Sequence, residues 1–129
     1  MLRSETRTMV QEPVQGSASA GKGPLRSGFH DDPEMIGIVV IFLEELPSRM
    51  RDLEVWFAAG DLERFHRLVH QLKGAGGGYG FPLSSEQAEL LLRLLEQGED
   101  EWTRRSHAAH EGLMDTLRRA HAFRADLQA

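Results

Sequence analysis

His66–Gly80 reads HRLVHQLKGAGGGYG, bringing two histidines, one lysine and a run of glycines together. A solvent-exposed imidazole is a competent nucleophile near neutral pH. An ammonium group one helical turn further on can offset charge on oxygens carried by that ring. His70 and Lys73 have that spacing. Apart from Lys22, Lys73 is the only lysine in the chain; the other strong bases are arginines.

At about 100° per residue the stretch divides into two flanks. Phe65, Leu68, Val69 and Leu72 share one flank, which Gly76 and Tyr79 continue. Glu63, His66, Arg67, His70, Lys73, Gly74 and Gly77 share the other. Glycine inside a helix loses about 1 kcal/mol against alanine, so Gly74, Gly76 and Gly77 together lose about 3 kcal/mol. On the apolar flank Gly76 allows another helix to approach closely. On the polar flank Gly74 and Gly77 leave bare backbone beside His70, which burial does not explain. We therefore read a site here: His70 the reacting group, Lys73 its charge partner, Gly74 and Gly77 its clearance, and His66 and Arg67 part of the docking face.

Two other readings use the same residues. His66 and His70 are spaced i,i+4, as zinc ligands on a helix are, and His107 with His110 would complete a set. Arg67 follows His66 where a metalloprotease helix carries glutamate, and Arg67 and Lys73 repel a cation, so no metal is assigned. Otherwise His107, His110 and His121 read as surface or boundary residues. The third reading is an interaction bundle with no chemistry at His70.

Four helices are expected to position the site. Asp31-Asp32-Pro33-Glu34 reads as a helix start, with proline in the first turn and acid near the dipole's positive end. That helix runs to about Ala59 and stops at Gly60. Ile38, Phe42 and Leu46 form its ladder; Val39, Leu43, Leu53, Val55, Trp56 and Phe57 are available to the core. Pro47 is expected to kink or split it. Asp61 caps the second helix, which bears His70 and ends near Gly78–Gly80. Ser84 or Ser85 opens the third, Ser84 and Gln87 fitting a capping box. Ala88, Leu91, Leu92 and Leu95 form its apolar face, widened by Leu90 and Leu94, and Gly98 ends it. The fourth starts at Glu99-Asp100-Glu101 and reaches about Leu127. Trp102, Ala109, Leu113, Leu117 and Ala120 lie near one face with Met114 beside them, and Arg118, Arg119 and Arg124 suit the C-terminal end. Ile38 to Ile41 is β-branched and could pass for a buried strand, but its length, the caps and the lack of a second such run favour helix, and no strand pattern occurs elsewhere. The expected fold is all-α, an antiparallel up-down four-helix bundle over residues 29–129.

Residues 1–28 are rich in Ser, Gly, Gln and Ala, lack an apolar period, and read as a flexible tail or linker. Gly16 to Lys22 imitates a phosphate-binding loop, but Gly23-Pro24 follows where magnesium needs Ser or Thr. The net charge of −5 argues against nucleic acid, and the lack of cysteine excludes disulfides and thiolate chemistry. No apolar run suits a membrane span or a signal peptide. The chain is expected to be cytoplasmic and, its remaining polar faces being ordinary, monomeric.

His70-Gln71-Leu72-Lys73-Gly74, with Tyr79-Gly80 closing the small-residue run, resembles the motif of the histidine-containing phosphotransfer (HPt) domain family. The resemblance extends over about Asp31 to Phe123 and includes the Asp-Pro-Glu start and the Glu-Glu-Leu-Pro segment. One departure is the extra glycine at Gly76–Gly78, where the family often has Ser, Ala or Asn. The resemblance implies a four-helix phosphoryl carrier rather than an enzyme, without a nucleotide site or cofactor of its own. In this reading His70 is phosphorylated from a receiver-domain aspartate and passes the group to another receiver; Lys73 holds the phosphoryl group and Gly74 clears space for it. Response-regulator receivers and a hybrid histidine kinase are the implied partners, and the catalytic aspartate and Mg2+ belong to the receiver. A phosphoacceptor domain of a chemotaxis-type kinase fits the same residues.

Overall fold

The computed structural model describes residues 23–97 and 99–128, and all regular structure among them is helical. The helices are α1 (Ile36–Ala59), α2 (Leu62–Gly78), α3 (Pro82–Gln97) and α4 (Glu99–Gln128). α1 and α3 each pack against both α2 and α4, so the four close around one core. Residues 1–22, including the stretch that imitates a phosphate-binding loop, lie outside the described residues, as do Gly98 and the side chain of Trp102.

α1 begins later than the acidic start suggests. Asp32 Oδ1 accepts from the backbone N–H groups of Glu34 (2.9 Å) and Met35 (3.3 Å), holding a turn ahead of the helix proper. Val39, Phe42, Leu43, Leu46 and Leu53 are buried, whereas Ile38 is 45% exposed and Val55 60% exposed. The expected ladder through Ile38 is therefore displaced to Val39. α1 has more apolar residues than its contact face with α2 and α4 can cover. Pro47 does not split the helix, which is continuous to Ala59. Buried leucines on both sides of the proline, at 43, 46 and 53, hold the two halves to one core. Gly60, at φ 73°, ends α1 in the left-handed conformation.

Asp61 caps α2 as expected, its Oδ1 accepting from Arg64 N at 3.2 Å. α3 starts at Pro82 rather than at a serine cap. Ser84 is buried inside the first turn and donates its hydroxyl to Phe81 O (3.1 Å), so the capping box with Gln87 does not form. Ala88, Leu91, Leu92 and Leu94 are buried, while Leu90 is exposed.

In α4, Ala109, Leu113, Met114, Leu117 and Ala120 are buried, with Phe123. His110 corrects the surface expectation: it is 4% exposed, and its ring stacks on Phe57 at 4.2 Å and 9°. It lies three and four residues before Leu113 and Met114 and so shares their face. Burial pushes its pKa down. Arg124 pairs with Glu44 of α1, and Arg119 Nε donates to Gly23 O (2.9 Å), so both arginines have partners distant in sequence.

The segment 23–28, assigned to the tail by composition, docks on the bundle. Leu25 N donates to Arg119 O (2.8 Å), buried Ser27 donates its hydroxyl to Tyr79 O (2.7 Å), and Gly28 N donates to Gly80 O (2.8 Å). Gly80 has φ 86°, and a Cβ there would lie 2.7 Å from Gly28 N, so only glycine serves at this corner. Small polar residues read as linker, yet their smallness is what admits them to these carbonyls.

Candidate functional site

α2 separates its two flanks as the wheel predicts. Phe65, Leu68, Val69, Leu72 and Gly76 are buried. Tyr79 is half-buried and stacks on Phe42, with ring centroids 4.8 Å apart. His66, Arg67, His70, Gln71, Gly74 and Gly77 are exposed. Leucine burial on one side, worth about 2 kcal/mol per side chain, fixes the rotation of α2 and thereby sets His70 outward. The His66 and His70 rings lie 6.4 Å apart, one turn separating them. Arg67 Nη2 is 3.7 Å from Glu63 Oε2, an exposed i,i+4 pair.

The glycines fall into two kinds. A Cβ built at Gly74, Gly77 or Gly78 meets nothing within 4 Å. At Gly76 a Cβ would come within 2.9 Å of Ser85 N and 3.1 Å of Phe81 O. Gly76 therefore admits the start of α3, and Gly74 and Gly77 keep the backbone beside His70 uncovered.

Lys73 is half-exposed, and it does not stand free beside His70. Its Nζ reaches across to α3 and lies 2.6 Å from Glu89 Oε1. Glu89's other oxygen, Oε2, is 2.9 Å from Arg93 Nε. Hydrogen bonds from Lys73 and then Arg93 hold the Glu89 carboxyl below its usual pKa. Ser85 donates its hydroxyl to Lys73 O (2.8 Å), binding the same turn of α2 to α3. A groove lined by Lys73, Gly77, Pro82, Ser85, Glu89 and Arg93 runs beside the helix.

Sequence reasoning missed Glu89, Arg93 and Ser85. The i,i+4 spacing of Glu89 and Arg93 is visible in the chain, but the register that places Glu89 opposite Lys73 is not. The four-histidine zinc set is not assembled, because His110 packs in the core against Phe57. Among the described residues, no three His, Cys, Asp or Glu side chains are grouped as a metal site requires. None of the helices among them is long and apolar enough to cross a membrane.

The family model described as Hpt domain matches residues 37–127. No curated protein and no solved structure gives a significant match.

Proposed function

This chain belongs to the Hpt domain family, and from that premise we propose that it is a phosphorelay intermediate whose carrier residue is His70. Hpt domains act in two-component signalling, as carriers rather than classical enzymes. The observation that best supports His70 is its exposed ring beside two glycines at which added side-chain atoms meet nothing. Phosphoryl transfer is largely positioning and charge neutralisation; the unobstructed imidazole serves the first, and Lys73, one helical turn on, is the cation for the second.

In the proposed step the Nε2 lone pair of neutral His70 attacks the phosphorus of a receiver's phosphoaspartate. A P–N bond forms as the acyl-phosphate P–O bond breaks, and the carboxylate leaves with the electron pair. Nδ1 keeps its proton throughout. Transfer to a second receiver reverses the step. Lys73 neutralises phosphoryl charge, Gly74 and Gly77 admit the incoming domain, and His66 and Arg67 contribute to docking. The nucleophilic aspartate and Mg2+ reside in the receiver, and a hybrid histidine kinase supplies the phosphoryl group. The helices are read as an antiparallel up-down bundle, since two- and three-residue connections at 60–61 and 79–81 suit reversal of direction; we take it to work as a monomer in the cytoplasm.

Incubation with isotopically labelled phospho-receiver domains tests the proposal. Acid-labile label mapped to His70 is the expected result. Its absence with receivers that label other Hpt domains would favour an interaction bundle without phosphoryl chemistry.

A further inference from the structure

We infer that Glu89 is a positioning residue that holds the Lys73 ammonium against α3 and so sets how firmly a phosphoryl group on His70 is retained. The inference rests on the phosphotransfer reading of His70. Lys73 is already occupied: its Nζ lies 2.6 Å from Glu89 Oε1. A phosphoryl group one turn away must compete with that carboxylate for the same cation. A phosphoryl group carries about −1.5 to −2 charges and three strong acceptor oxygens, so it outbids a single carboxylate oxygen. The exchange leaves Glu89 paired, because Arg93 Nε holds its other oxygen at 2.9 Å. Arg93 thus lowers the penalty for releasing Lys73, while Glu89 raises it. Ser85 fixes the Lys73 backbone through its carbonyl, so the exchange requires movement of the side chain alone.

The two α3 residues therefore act with opposite sign on one quantity, the lifetime of the phosphohistidine. Removing Glu89 frees Lys73 for the phosphoryl group. Removing Arg93 leaves Lys73 as the remaining cation on Glu89 and ties it down. Simple loss of α2–α3 packing would move both variants the same way.

Phosphoramidate serves as the phosphodonor: its P–N bond breaks, ammonia leaves, and a P–N bond to His70 forms. After the donor is removed, 31P NMR follows the decay of the phosphohistidine. Glu89→Gln is expected to lengthen its half-life about two- to fivefold, the scale of one exposed ion pair. Arg93→Ala is expected to shorten it. The gain from Glu89→Gln should vanish when Lys73→Ala is the background. A half-life in Glu89→Gln equal to wild type, a gain that survives in the Lys73→Ala background, or Arg93→Ala shifting the same way as Glu89→Gln overturns the inference while leaving His70 as carrier. Absence of label on wild-type His70 overturns the carrier reading and this one with it.

Discussion

Gly76 and Gly77 are adjacent in sequence. A methyl group added to the first would press on Ser85 N and Phe81 O at 2.9 and 3.1 Å; added to the second it would meet nothing within 4 Å. The same residue type serves packing on one flank of α2 and access on the other. The rotation of the helix, set by Phe65, Leu68, Val69 and Leu72, decides which. Substitutions on the buried flank should therefore appear in stability, and those on the exposed flank in phosphoryl transfer.

The sharpest break of that comparison is at His70. His70→Gln is expected to abolish labelling from a phospho-receiver while leaving the thermal midpoint at its wild-type value. A large drop in the midpoint would place residue 70 in the core. Gly74→Leu is expected to block labelling by a receiver on steric grounds without unfolding the bundle; wild-type transfer rates would remove the clearance argument. On the other flank, Leu72→Ala should cost about 2–5 kcal/mol in denaturant unfolding, as for a buried leucine. The glycine pair sharpens the contrast at smaller scale. Gly76→Ala is expected to destabilise by about 1–3 kcal/mol through overpacking. Gly77→Ala should stabilise by up to about 1 kcal/mol through helix propensity. Equal effects of the two would dissolve the distinction between flanks.

Two histidines extend the comparison to pH. His70 stands in solvent, whereas His110 is buried against Phe57, and burial lowers its pKa. A histidine depressed in the folded state takes up its proton first in the unfolded chain. Its contribution is therefore fully present above the unfolded value of about 6.5 and is lost as pH falls below it. Thermal midpoints measured from pH 8 to 5 should fall less steeply in His110→Phe than in wild type. Parallel slopes would show that His110 does not govern the acid side.

Much of this was legible in the chain because it is local. The Asp61 cap, the Gly60 stop, the two flanks of α2 and the apolar periods of α3 and α4 each depend on residues within a few turns of one another. What escaped depends on neighbours distant in sequence. Whether Ile38 or Val39 faces inward follows from where α2 and α4 touch α1, and apolar character alone does not separate them. His110 is the exception: its spacing from Leu113 and Met114 is local and marks it for the core, but its polarity points outward. The partner of Lys73 depends on how far α3 is offset along α2, which no period within either helix encodes.

The contacts of Ser27 with Tyr79 and of Gly28 with Gly80 moor the incoming chain at the glycine end of the histidine helix, not at its Asp61 end. A mechanical load applied upstream of Gly23 would be delivered first to Arg119 of α4, through Gly23 and Leu25, and next to Tyr79 and Gly80. Fusions or truncations that keep Leu25 to Gly28 spare this anchorage, whereas cutting after Gly28 strips the tether from the corner that closes α2.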